Sequence, residues 1–216
     1  MDKQNLSTRR KAMVEQQLRK RGISSPLVLE AMGNVAREAF VPAELQDLAY
    51  SDSALPIAGG QTISQPMIVA MMVDALELKG GERVLDIGTG SGYAAAVLAC
   101  IAKKVYSIER VEELAALAKN ALLAEGFTNI ELKLDDGTLG WPEAAPFDAI
   151  NVAAGAPVVP EALKQQLTIG GRLVLPVGSD KTEQQLLRIT RTGEDTYTTE
   201  KLADVRFVPL IGEAGW

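Results

Sequence analysis

The chain has 216 residues, 47% of them apolar, a formal net charge of −6, one cysteine and no histidine. That describes a single domain with enough apolar surface for a sizeable core. It argues against a nucleic-acid-binding surface, which needs a basic patch, and it excludes an internal disulfide, Ser-His-Asp or Cys-His catalysis and any histidine-ligated metal. No apolar run reaches membrane-spanning length, and the charged stretch Met1–Lys20 lacks a signal-peptide pattern. The expectation is a soluble cytoplasmic protein, a monomer, without a membrane or nucleic-acid partner and without a metal. Cys100, in an apolar run, reads as a buried packing residue.

Taken in order, Leu6 to Arg21 reads as a helix, capped by Ser7 or Asn5 and stopped by Gly22. Met13, Val14, Gln17 and Leu18 give it only a narrow apolar stripe, which places it on the domain surface. Ser25 and Pro26 are the cap and first residue of a second short helix, with Leu27, Leu29, Ala31 and Met32 to bury. Val35 to Pro42 is a connector anchored by Phe40 and Val41, and Glu44 to Ala49 allows a turn or two of helix. From Tyr50 to Gln65 there is no periodicity, and adjacent glycines and nearby prolines forbid a regular helix. Leu55, Ile57 and Ile63 make that stretch too apolar for disorder, so a functional loop is expected there. Pro66 to Leu78 is helical again.

Val84-Leu85-Asp86-Ile87-Gly88-Thr89-Gly90-Ser91-Gly92-Tyr93 then reads as a buried strand, a glycine turn and the start of a helix over Ala94–Ile101. That is the ligand-binding corner of a doubly wound α/β fold. Further strands follow at Lys103–Ile108, Asn129–Leu134, Pro146–Val152, Arg172–Val177, Gln184–Arg191 and Tyr197–Leu210. Helices at Val111–Glu125 and Pro160–Leu167 alternate with them, and Gly170-Gly171 is a turn. Alternation implies a parallel sheet with right-handed crossovers, made mixed by the terminal hairpin. The fold class is therefore α/β, a doubly wound, mostly parallel seven-stranded sheet with an N-terminal helical extension. Residues 1–80 hold the helices and the loop, and residues 81–216 the ligand-binding core, all in one domain.

The glycine spacing narrows the ligand. A dinucleotide fingerprint wants G-x-G-x-x-G, but Gly92 comes one place early and Tyr93 stands where the last glycine belongs. The pattern acid-x-G-x-G-x-G resembles the first motif of Rossmann-like S-adenosylmethionine-dependent methyltransferases. S-adenosylmethionine carries a sulfonium cation and no phosphate, so the Asp86 carboxylate suits it where a helix amino end would suit a pyrophosphate. Glu109 follows roughly twenty residues on, where an acid meets ribose hydroxyls, and a carboxylate accepts from both. A solvated acid in the charged patch with Arg110, Glu112 and Glu113 is the plainer reading, and position favours the ribose. Asp136, before Gly137, is placed to accept from an adenine amino group, although aspartate before glycine is also a common turn former. Whether Asp135 or Asp136 faces the pocket stays open.

Further segments occur in a telling order: Gly60-Gln61-Thr62-Ile63-Ser64-Gln65-Pro66, the glycine motif, Pro146-Phe147-Asp148-Ala149-Ile150, Gly170-Gly171-Arg172-Leu173-Val174-Leu175-Pro176-Val177-Gly178 and Val205-Arg206-Phe207-Val208-Pro209-Leu210. Together they resemble the protein-L-isoaspartate O-methyltransferase family over nearly the whole chain. The resemblance implies methyl transfer from S-adenosylmethionine to the free carboxylate of L-isoaspartyl residues in damaged proteins. A succinimide then returns part of the product to normal aspartate. It also implies Ser64 as the active-site serine, with Thr62, Ile63, Gln65, Val205, Phe207 and Val208 at the substrate, and Asp86, Gly88, Gly90, Gly92, Glu109, Asp136 and Gly137 at the cofactor. Without a base partner Ser64 is a hydrogen-bond donor rather than a nucleophile, and it could also cap the helix at Pro66. Two departures stand out. Asp135 replaces a usual glycine, which puts the adenine contact in doubt, and Asn151 to Pro157 alter a pocket wall; weaker cofactor binding is the expected cost. The rival readings are a same-fold methyltransferase for another carboxylate or small acceptor, a non-catalytic S-adenosylmethionine-binding module and, less well matched, a nicotinamide oxidoreductase.

Overall fold

The computed structural model describes residues 3–180 and 182–216. The first helix changes pitch along its length. Lys3–Ala12 (α1) is α-helical, Met13–Leu18 is π-helical and Arg19–Arg21 is 3-10, ending at Gly22 with φ 103°. Its apolar stripe is a packing seam and not the surface strip expected: Leu6, Met13, Val14 and Leu18 are all buried. The cause is tertiary, because Pro26–Asn34 (α2) and Pro66–Ala75 (α3) pack over the π-helical turn. Ser25 caps α2 as its sequence requires, accepting from the Val28 N–H at 3.4 Å. The loop before α3 forms a two-residue hairpin, Leu55–Pro56 (β1) against Thr62–Ile63 (β2).

After α3 the chain alternates. Arg83–Ile87 (β3), Tyr93–Ala99 (α4), Lys104–Glu109 (β4), Glu112–Ala124 (α5), Ile130–Leu134 (β5), Phe147–Val152 (β6), Glu161–Gln165 (α6), Leu167–Val177 (β7), Gln184–Arg191 (β8) and Tyr197–Val205 (β9) follow in turn. The seven strands β3 to β9 form one sheet in the order β5-β4-β3-β6-β7-β8-β9. Pairings from β5 across to β7 are parallel, and β8 and β9 are antiparallel. The expected architecture is therefore present. One sheet face, with Val84, Val105, Ala149 and Val174, packs on the N-terminal helices and α4. The other, with Leu85, Ile87, Ile150 and Leu173, packs on Leu163 of α6, Trp141, and Leu210 near the C-terminus.

Three local expectations give way to packing. The helix read over Pro160–Leu167 shortens to α6, and β7 begins at Leu167. Leu167 is fully buried opposite Phe147, so the chain bulges through Gly170 (φ 85°) and Gly171 instead of turning there. The last strand stops at Val205 and not at Leu210, with Phe207 held by a side chain and Pro209 unable to donate. Cys100 is exposed because α4 ends one residue earlier and leaves it as the C-cap.

The central strand carries the fold, and Leu85 at its middle is 0% exposed. Leu85→Ala is expected to lower unfolding free energy by about 2–5 kcal/mol, read as a reduced urea midpoint at unchanged m-value.

Candidate active site

The strand order reverses at β3, whose neighbours β4 and β6 leave it in opposite directions. A cleft of about 940 Å³, including its open mouth, lies at the carboxyl ends of these strands. Gly88 to Ser91, Glu109, Gly137, Ala153 and Ala154 line one part of it. Thr62, Ile63 and Ser64 of the β2 hairpin line another, and Val208 to Ile211 a third. The structure thus brings together, of the residues singled out in the sequence, Thr62, Ile63, Ser64, Gly88, Gly90, Glu109, Gly137 and Val208. It leaves Gln65, Asp86, Gly92, Asp136, Val205 and Phe207 outside the lining.

The glycine turn is built from left-handed residues, with φ of 85° at Gly88, 54° at Gly90 and 92° at Gly92. Gly92 serves packing and not the ligand: a Cβ there would meet Leu122 at 3.3 Å and Ala118 at 3.4 Å, so glycine lets α4 close on α5. The turn is pinned by Glu109. One carboxylate oxygen accepts the Gly90 N–H at 2.8 Å, and the other accepts those of Arg110 and Val111 at 2.9 Å. Glu109 is only 5% exposed, so it is no solvated surface acid. Its backbone partners leave lone-pair capacity for one ribose contact more readily than for the bidentate pair expected.

Asp86 lies behind the cleft and not in it. It is fully buried in a row across three strands, opposite Ser107 of β4 and Asn151 of β6. Ser107 Oγ donates to Asp86 Oδ2 at 2.9 Å, and Asn151 Nδ2 donates to Asp86 Oδ1 at 2.8 Å. Thr89 Oγ1 lies 2.7 Å from Ser107 Oγ and joins the row to the cleft lining. Burial pushes the Asp86 carboxyl up to about 6, against the pull of its two hydrogen bonds. Asn151 is the inner brace of this acid and not a pocket wall; the wall after β6 is Ala153 and Ala154.

Neither acid of the Asp135-Asp136 pair faces the cleft. Asp135 is exposed and paired with Lys133 at 2.6 Å. Asp136 accepts from Thr138 N at 2.8 Å, Thr138 Oγ1 at 2.7 Å and Glu213 N at 2.7 Å, tying the C-terminal segment to the end of β5. Those partners hold its carboxyl below the usual range despite burial. The residue that faces the cleft is Gly137, where a Cβ would fall 2.4 Å from Ile87 Cγ2, so a side chain is sterically barred. This bare backbone leaves room in the cleft for a flat ring to lie against it.

Ser64 does not cap α3. The N-cap position is Gln65, without a side-chain bond, and the Met67 N–H is taken by Asp52 at 3.1 Å. The Ser64 hydroxyl, half-buried in the lining, makes no hydrogen bond among the described residues. Val205 and Phe207 pack against the core. Sequence reasoning passed over Gln184, whose amide accepts from Phe207 N at 2.8 Å and donates to Phe207 O at 3.2 Å. It also passed over Gly155, whose N–H donates to Val208 O and whose carbonyl accepts from Leu210 N and Trp216 Nε1. Together they hold the segment that brings Val208 to the cleft. No periodic signal marks such backbone clasps.

The Asp86 row sets a pH dependence. A folded pKa near 6 against 3.8 means the folded state holds the extra proton, so this stabilisation is full below about 4 and lost as pH rises through about 6. Asp86→Asn lacks that loss. Its stability relative to the parent is expected to rise between pH 4 and 6.5, by about 3 kcal/mol at most, in urea unfolding across that range.

Residues 8–215 match the family model for protein-L-isoaspartate(D-aspartate) O-methyltransferase. The chain is 63% identical over 215 residues to protein-L-isoaspartate O-methyltransferase 2 of Marinobacter nauticus, covering 100% of this chain and 98% of that one. It is 59% identical to protein-L-isoaspartate O-methyltransferase 1 of Rhodopseudomonas palustris, covering 88% of it. Among solved structures, a protein-L-isoaspartate O-methyltransferase superposes with a TM-score of 0.84 at 28% identity, over 95% of this chain and 67% of the other. A Plasmodium falciparum structure described as a protein-L-isoaspartate O-methyltransferase, in complex with S-adenosyl-L-homocysteine, superposes at 0.79 with 27% identity, over 94% and 98%. A cleft lined by both the glycine turn and Ser64 thus sits in a chain matched along its length, and that chain belongs to the protein-L-isoaspartate(D-aspartate) O-methyltransferase family.

Proposed function

We propose that this cleft methylates the free carboxylate of L-isoaspartyl residues in damaged proteins, with S-adenosylmethionine lying along the glycine turn and the isoaspartyl side chain arriving at Ser64. The observation that carries the assignment is the Ser64 hydroxyl, unengaged among the described residues, in the same cleft lining as a glycine turn pinned by Glu109. When bound, S-adenosylmethionine supplies an electrophilic methyl group on a sulfonium. The acceptor carboxylate is already an anion at neutral pH, so this chain needs no general base, in keeping with its lack of histidine. What its residues contribute is position. Gly88, Gly90 and Gly137 let the cofactor approach the backbone, and Glu109 accepts from a ribose hydroxyl. Ser64 donates to the substrate carboxylate, while Thr62, Ile63 and Val208 exclude water around it. The methyl ester leaves the site and closes to a succinimide, which hydrolyses partly to normal aspartyl peptide.

No described helix is long and apolar enough to cross a membrane. The reading takes the enzyme to be a cytoplasmic monomer that meets isoaspartyl proteins and not nucleic acid, in line with its net charge of −6.

Tritium transfer from methyl-labelled S-adenosylmethionine to a short isoaspartyl peptide tests the reading. Base-labile label is expected on that peptide and not on its aspartyl twin; label on neither, with cofactor bound, would point to a different acceptor. Ser64→Ala is expected to lower kcat/KM for the peptide about 10- to 100-fold while S-adenosylhomocysteine affinity holds. Gly137→Ala should do the reverse, weakening S-adenosylhomocysteine binding by about tenfold or more in calorimetry, because its Cβ must displace Ile87.

A further inference from the structure

Arg37 is the largest fully buried side chain of the protein, at 0% exposure, and no ion pair reaches it among the described residues. Asp52 attracts this guanidinium but makes no ion-pair contact with it, and a buried guanidinium without such a contact costs more than an apolar side chain of the same volume, so stability gives little reason for arginine here. Its contacts give one. Nε donates to the Ala49 carbonyl at 2.7 Å, and Nη2 donates to the Ser64 carbonyl at 2.8 Å. The guanidinium carbon lies 4.7 Å from the ring centroid of Tyr93, the first residue of α4 after the glycine turn. Nη1 is buried and finds no acceptor among the described residues. Phe40, three residues on, packs against the same ring at 5.9 Å.

Arg37 therefore ties the Ser64 loop to the start of the helix that carries the cofactor turn, and both Ser64 and Tyr93 line the cleft. The planar fork matters: its donors reach Ala49 and Ser64 at once while the flat face stacks on Tyr93. A lysine ammonium is a point charge that can serve one carbonyl well and stacks poorly. Ser64 lacks a capping role, so few bonds besides this one fix its backbone in the cleft.

We infer that Arg37 is a positioning residue for the methyl transfer, setting the Ser64 hydroxyl against the acceptor carboxylate by gripping the Ser64 carbonyl from beneath while stacked on Tyr93. The inference rests on Ser64 meeting the substrate.

The test is a double-mutant cycle on the full chain with wild type, Arg37→Lys, Ser64→Ala and the double variant. Each is assayed for kcat and KM on the isoaspartyl peptide, for S-adenosylhomocysteine affinity by calorimetry, and for Tm. Arg37→Lys is expected to lower kcat/KM about tenfold or more with product affinity held within about twofold, and to cost less than about twofold further once Ser64 is alanine. Full additivity in the cycle, a loss that follows S-adenosylhomocysteine affinity, or an Arg37→Lys enzyme of parental activity each overturns the positioning role while leaving the Ser64 reading intact. A Ser64→Ala enzyme with parental kcat/KM removes the Ser64 reading, and the positioning role with it. Should Arg37→Lys not fold, Arg37→Met, which keeps the bulk and offers no donor, takes its place under the same criteria.

Discussion

The Glu109 carboxylate holds the cleft together. A turn of left-handed glycines has no side chains to fix it and would otherwise sample many conformations. By accepting the Gly90 N–H from the end of the next strand, Glu109 turns that floppy segment into a rigid lip, and its other oxygen fixes the exit of its own strand through Arg110 and Val111. At 5% exposure the carboxylate is nearly buried, and the backbone amides of Gly90, Arg110 and Val111 take up most of its accepting capacity. One group thus fixes the turn and lines the cleft.

Behind that lip, the Ser107–Asp86–Asn151 row spans the strands on either side of the switch point. It places an acid deep in the sheet, outside the cleft lining, where its ionisation is costly and its partners are side chains from both flanking strands. Among the described residues Asn151 Oδ1 has no hydrogen-bond partner, so the row is incompletely satisfied there. Position along the strand suggested contact with a sulfonium. The alternation of side chains decides otherwise, because Asp86 shares the face of Val84 and points into the sheet's packing layer.

Above the lip, two chain segments from outside the alternating core complete the cleft. The β2 hairpin is held from below by Arg37, and the C-terminal stretch by Gln184, Gly155 and Asp136. Each clasp uses a side chain or bare backbone to satisfy peptide groups that no strand partner reaches. Both segments can therefore be irregular and still fixed, which is what a site for an extended protein substrate needs.

The sequence by itself determined the alternating α/β order, the glycine turn, the lack of histidine and the segments that mark the family. These are local signals: the periodicity of apolar residues, glycine spacing and composition act over a few residues and do not depend on what lies across the sheet. Glu109 was legible for the same reason, sitting at a fixed distance past the turn. Tertiary structure alone decided which way the acids point. Asp135 and Asp136 are turned away by Lys133, Thr138 and Glu213, and Gly137 just after β5 lines the cleft with backbone alone, since a Cβ there would meet Ile87 of another strand. It also decided that β7 begins early, that β9 ends early and that an arginine in an apolar connector lies under the active-site loop. Each of these depends on partners far away in the chain, 27 residues away for Arg37 and Ser64 and 77 for Asp136 and Glu213, and no spacing rule over neighbouring residues carries such information.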